Sequence, residues 1–304
     1  MPVSAAKSIL AHRTMRTLLR GAIDYAGLFP PASLDLATVA ANHAAYRAGP
    51  DAWALGRLVV PAAQLDALAE AARGLWAGPP PGPWRLSALV GADPAADAAR
   101  ISAFNRAHGA HALVDSVESR APTVDAVQAL DGLFPGLEHF VEIPVTVDLP
   151  PLLQRIAAIG AQAKIRTGGV TPEAVPASRD VARFLRACAD AGVPFKATAG
   201  LHHPLRGRYR LTYEANAPTG MLYGFLNILL AAVQARAGAS VDALVVTLEE
   251  RHHDRLGIDE VEMRWEGARA TDAELFDARR RFVRSFGSCS FREPLDEIGI
   301  LHSY

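Results

Sequence analysis

Short apolar runs recur along this chain, and the segments between them carry apolar residues three and four positions apart, so strand-like and helix-like periods alternate. The runs at 22–27, 58–61, 85–90, 111–116, 140–144, 163–169, 194–200 and 285–291 read as strands. Helical spacing covers 8–20, 36–48, 62–76, 93–108 and 178–192. In the last of these Val181, Phe184, Leu185 and Cys188 share one face, and Gly192 ends the helix. Asp93-Pro94 supplies an N-cap followed by a first-turn proline.

Eight strands spaced by helices predict parallel βα units. The count favours a closed, TIM-like (β/α)8 barrel of the α/β class over an open sheet. No GxGxxG or Walker-type loop follows the first strand, which weakens a nucleotide-binding reading. The chain 1–304 reads as a single barrel domain with an insertion at about 205–284, between strands seven and eight. That insertion holds Arg206, Arg208 and Arg210, an apolar helix from Thr219 onward, a helix near 241–251 and a hairpin around 261–265. A helix over 272–284 follows, whose Arg279-Arg280-Arg281 run reads as a solvated face. The Gly/Pro run 78–83 reads as a stiff connection.

Polar residues interrupt two strands where burial should exclude them. Alternation puts Lys164 and Arg166 on one face of strand six, opposite Ala163 and Ile165, and Lys196 and Thr198 on one face of strand seven, opposite Phe195 and Ala197. With the apolar faces against helices, both lysines point into the barrel, where an ammonium is costly to desolvate. The C-terminal mouth then gathers candidate catalytic residues Asp24, Asp115 or Glu118, Glu142, Lys164 and Lys196. Arg166 beside Lys164 adds like charge, which favours the neutral amine that a nucleophile requires. The plain alternative is that Glu142 and the lysines are buried ion pairs holding the barrel together.

Candidate substrate-binding residues surround these. Thr167-Gly168-Gly169 and Ser288 near Gly287 offer free N–H groups for a phosphate or carboxylate. Arg166, Thr198, His202, His203 and Cys289 complete the set, and the arginines after strand seven point to a small anionic substrate. Cys289 reads as a nucleophile or as a small residue packed in strand eight, and Tyr25 as a proton donor or as packing.

Lys164 in AKIRTGG and Lys196 in FKATAG resemble the two lysine strands of class I aldolases of the deoxyribose-phosphate type. In that family the strand-six lysine forms a Schiff base, and the strand-seven lysine lies close enough to depress its pKa. The resemblance therefore implies Lys164 as the imine-forming residue and Lys196 as its tuning partner, in a lyase or isomerase acting next to a carbonyl without a cofactor. It covers only these two strands, and Arg166 and Leu201-His202-His203-Pro204 depart from the pattern.

A rival reading is a metal-dependent lyase or hydratase on the same barrel, with a divalent ion held by Asp24, Glu142 and His202. A third is a non-catalytic barrel that binds a small anion. Net charge −1 and the lack of a basic tail argue against nucleic acid. Cys188 and Cys289 form no disulfide framework, and 1–20 carries no signal-peptide pattern, which together suggest the cytoplasm. The apolar run 221–235 is too short for a membrane span, so it is expected to lie under the insertion or in a homodimer contact.

Overall fold

A computed structural model describes residues 9–76, 80 and 82–300. The leader expectation falls partly, and the 78–83 connection in half of its residues, outside that range. The strands are β1 (Ile23–Tyr25), β2 (Leu55–Pro61), β3 (Trp84–Leu89), β4 (Ala112–Arg120), β5 (Glu138–Glu142), β6 (Gln162–Arg166), β7 (Phe195–Thr198), β8 (Gly207–Arg210), β9 (Thr219–Leu222), β10 (Gly257–Ile258), β11 (Glu262–Trp265), β12 (Ala268–Thr271) and β13 (Val283–Ser288). The helices are α1 (Arg13–Leu19), α2 (Leu36–Ala48), α3 (Leu65–Ala72), α4 (Pro94–His108), α5 (Val124–Gln128), α6 (Leu149–Ala158), α7 (Ser178–Asp190), α8 (Phe225–Arg236), α9 (Val241–Glu249), α10 (Asp272–Arg281) and α11 (Arg292–Ile300).

Eight parallel strands close a barrel in the order β1-β13-β7-β6-β5-β4-β3-β2, so the predicted (β/α)8 barrel is the observed fold. Outward-facing residues bind the helices to it: Phe195 meets Phe184 of α7 edge-on at 5.6 Å between ring centroids and Phe282 at 5.2 Å. Val181, Phe184, Leu185 and Cys188 are all fully buried, as the helical pattern requires. Each such aliphatic or aromatic side chain contributes roughly 1.5–3 kcal/mol. Asp93 caps α4 by accepting from the Ala96 amide at 3.0 Å, and Thr271 with Glu274 forms a capping box on α10.

Between β7 and β13 the elaborated segment folds as expected in outline and differs in detail. Thr219 opens β9 and not a helix, because 219–222 pairs with β8 as an antiparallel hairpin. The apolar helix starts at Phe225 and is buried within the chain, packed on α7, α9, α10 and β13. The 261–265 segment is the middle of a three-stranded sheet, β10-β11-β12. Arg279 turns away from solvent, its guanidinium donating to the carbonyls of Arg284 at 2.5 Å and Arg20 at 3.1 Å. Among the described residues no helix is long and apolar enough to cross a membrane.

Candidate active site

Register places Glu142, Lys164 and Lys196 side by side on β5, β6 and β7. Their inward faces meet Glu118 from β4 and Asp24 from β1. Lys196 Nζ donates to Asp24 Oδ2 at 2.5 Å and to Glu118 Oε1 at 2.7 Å. Lys164 Nζ lies 2.8 Å from Glu118 Oε2 and 3.0 Å from Glu142 Oε2. The interior is thus a chain of alternating charges, Asp24, Lys196, Glu118, Lys164, Glu142. Sequence reasoning expected Lys164 among cations; instead Glu118 stands between the two lysines, and the Arg166 side chain, half exposed, reaches no closer than 3.6 Å to Glu142.

The surroundings fix each member. Ser285 Oγ donates to Asp24 Oδ2 at 2.7 Å, Ser87 Oγ to Glu118 Oε1 at 2.9 Å, and the Arg57 amide to Asp24 Oδ1 at 2.8 Å. Gly56 is required beside Asp24, since a Cβ there would lie 2.3 Å from Asp24 Oδ1 and 3.1 Å from the Ile23 carbonyl. Arg120 Nη2 holds the other oxygen of Glu142 at 2.9 Å. Burial pushes Glu118 up, but the ammonium groups of Lys164 and Lys196 outweigh it and hold the carboxyl well below its usual range. Glu142 is likewise held low, against its own burial, by Lys164 first and then Arg166 and Arg120. Lys196 is fully buried, which disfavours its charge, yet Asp24 and Glu118 raise it above the ordinary lysine value.

A cavity of about 600 Å³ opens above this chain at the C-terminal mouth. Lys164 and Glu118 form its floor, while Lys196 lies beneath, without contact to it. Arg166, Gly169, Thr198, His202, His203 and Cys289 line the walls as expected. Of the three insertion arginines only Arg210 reaches the cavity; Arg206 lies over the Tyr223 ring at 4.5 Å, and Arg208 faces Thr219.

Several expected members sit elsewhere. Asp115 is not at the mouth: it lies low in β4 and pairs with Arg57 Nε at 2.6 Å and Arg85 Nη2 at 2.6 Å. Arg57 continues to Glu138 at 2.8 Å, which Arg284 reaches at 2.9 Å, so a second charged network fills the N-terminal end of the barrel. Thr167 has no free N–H for a ligand, because its amide donates to the Thr198 carbonyl at 2.8 Å, and its Oγ1 donates to the Ala199 carbonyl at 2.8 Å. Gly168 serves close packing: a Cβ would come within 3.1 Å of the Ala199 oxygen and 3.2 Å of Gly200 Cα. Ala199, at that contact, adopts φ 71°, a left-handed conformation unusual for alanine. Ser288 is buried behind the wall, with Oγ 3.4 Å from His202 Nδ1. Tyr25 is packed edge-on to Tyr46, and its hydroxyl accepts from Asn42.

Asp24, Glu142 and His202 do not converge, each being held by a different cation or carboxylate, and among the described residues no group of three His, Cys, Asp or Glu could hold a metal. His202 and His203 dock on α11: His202 Nδ1 lies 3.0 Å from Glu293, and His203 Nδ1 2.8 Å from Glu297. Ser87, Ser285, Arg120, Tyr213 and Glu293 escaped the sequence reading; only the lone serines within apolar strands left a trace there. No protein-family model matches the chain, and no curated protein matches it either.

Proposed function

We propose that this chain makes or breaks a C–C bond next to the carbonyl of a small anionic substrate, through an imine on Lys164, in the manner of a class I aldolase. The observation that carries the reading is that Lys164, and not Lys196, stands on the cavity floor between two carboxylates. The composition supports it: of 31 lysines and arginines only three are lysines, Lys7, Lys164 and Lys196, and two of those are in the barrel.

Two carboxylates against Nζ suit this chemistry, because an iminium carries the same charge as the ammonium it replaces. Transfer of one proton from Lys164 to Glu142 Oε2, 3.0 Å away, frees the amine for attack on the carbonyl carbon. Loss of the resulting hydroxyl as water takes that proton back and leaves the iminium, which draws electrons from the adjacent C–C bond as it breaks to an enamine, while Glu142, ionised again, takes the proton of the β-hydroxyl that becomes the carbonyl of the released aldehyde. Glu118, kept ionised by its two ammonium partners, stabilises positive charge at Nζ throughout. Arg166 and Arg210 supply cationic walls for the anionic end of the substrate.

The test is borohydride reduction of the protein with small aldehydes and ketones bearing a carboxylate or phosphate, followed by peptide mapping. A reduced adduct on Lys164, absent from Lys164→Met, is the expected result. An adduct confined to Lys7 or Lys196, or none with any carbonyl compound, overturns the imine.

A further inference from the structure

The cavity wall carries a second set of groups that the imine chemistry leaves idle. Cys289 follows β13 and lines the cavity, with 5% of its surface exposed. Its Sγ lies 3.7 Å from Nε2 and 3.8 Å from Nδ1 of His202. His202 Nδ1 donates to Glu293 Oε2 at 3.0 Å, and Tyr213 Oη, 3.4 Å from the sulfur, donates to the same oxygen at 2.8 Å. A thiol, an imidazole and a carboxylate that orients the imidazole are thus in contact in the order that nucleophilic catalysis uses.

The charge of the ring is set by its neighbours. Burial alone would lower His202, but its hydrogen bonds to Cys289 and Glu293 raise it to about 9, so the ring is an imidazolium at neutral pH. That ring is the group in contact with the sulfur. Glu293, Tyr213 and Tyr25 are the other titratable groups that act with Cys289, and burial pushes Tyr25 up to about 12, so it is neutral there. The second cysteine, Cys188, has no such partner, and burial pushes its thiol up. The near-equal distances place the sulfur off either N–H axis; tipping the ring about its Glu293 bond brings one N–H into line, as catalytic bonds tighten when substrate is bound.

We propose that Cys289 is a second nucleophile of this cavity, activated by His202 and Glu293, which captures an aldehyde as a hemithioacetal. In the reacting thiolate–imidazolium pair a sulfur lone pair forms the C–S bond, the carbonyl π pair moves to oxygen, and that oxygen takes a proton from His202, leaving a neutral ring and a neutral hemithioacetal. The reverse releases the aldehyde, and no oxidant or reductant takes part. The role in turnover rests on the imine reading, since C–C cleavage there releases an aldehyde fragment into the cavity that Cys289 lines. Capture itself does not require Lys164.

The experiment therefore uses the Lys164→Met protein, where no imine can form at that position. With acetaldehyde labelled with 13C at its carbonyl, NMR should show a protein-bound sp3 carbon that disappears in Lys164→Met/Cys289→Ser. In parallel, iodoacetamide at pH 7 should alkylate Cys289, as mapped by mass spectrometry, and His202→Asn should slow that reaction about tenfold or more. Glu293→Gln should slow it less, which guards against a single variant that fails to fold. A bound carbon signal that persists without Cys289, a Cys289 that resists alkylation, or a His202→Asn protein that reacts at the unaltered rate overturns the proposal.

Discussion

Two charged networks share the interior of one barrel, and they differ in the cation they use. At the N-terminal end Arg57, Arg85 and Arg284 clamp Asp115 and Glu138; nearer the mouth Lys196 and Lys164 alternate with Asp24, Glu118 and Glu142. A guanidinium keeps its proton at any accessible pH and grips carboxylates through a rigid fork. An ammonium is a point charge that can give its proton up. The lower network also has no face on the cavity, whereas the upper one exposes a single edge there, at Lys164 and Glu118. Charge inside a barrel is thus not itself a mark of chemistry, and the proposed imine rests on the deprotonable cation at the open edge.

The largest effect that sharpens this contrast is expected at Lys164. Lys164→Met should lower turnover on the order of 10^4-fold, or about 5.5 kcal/mol of activation free energy, while the protein remains folded, as read by kinetics beside circular dichroism. Next is Lys196→Met, which leaves Asp24 buried without its cation and Glu118 with Lys164 as its remaining one. Denaturant unfolding should show a loss of roughly 3–5 kcal/mol.

Arg57→Met should cost less, about 1–3 kcal/mol by the same measurement, because Asp115 and Glu138 retain Arg85 and Arg284 and keep 24% and 15% of their side-chain surface exposed. It should leave the borohydride adduct on Lys164 in place. If Arg57→Met removes that adduct, the division between a structural and a chemical network collapses.

The smallest effect concerns acid. Glu118 is lowered in the folded protein, so its contribution to stability is complete above its unfolded value near 4.3 and is lost progressively as pH falls below that, toward the depressed folded value. Stability should fall by about 1.4 kcal/mol per pH unit from this group alone below pH ~4. Glu118→Gln should show a shallower acid limb in urea titrations, whatever its stability at neutral pH.

Much of the upper network could be read from the sequence because strand alternation is a strict rule: Lys164, Lys196, Glu142 and Asp24 all turn inward where the period puts them. Asp115 and Glu118 could not be told apart in this way. The register between β3 and β4 shifts from Leu86 opposite Val114 to Ser87 opposite Ser116, so Asp115 is an extra residue that alternation miscounts. The sign of the field at Lys164 was also hidden, since Arg166 adjoins it in sequence while Glu118 reaches it from two strands away around the barrel. Glu293 and Tyr213 come from a C-terminal helix and an insertion hairpin, and no local pattern links either to Cys289.

Asp24 has one more consequence, for the order in which the molecule can assemble. It occupies the centre of a three-residue strand, and its side-chain partners Lys196 and Ser285 lie 172 and 261 residues further along. That carboxylate gains its cation only after about two-thirds of the chain has been made and its hydroxyl only after nearly all of it, when β1 can first join β13. The seam of the barrel is therefore its most non-local contact, the kind whose loop-closure entropy delays folding. A half-made chain carries an ionised residue in the middle of its first strand, which discourages that strand from pairing early with the wrong neighbour.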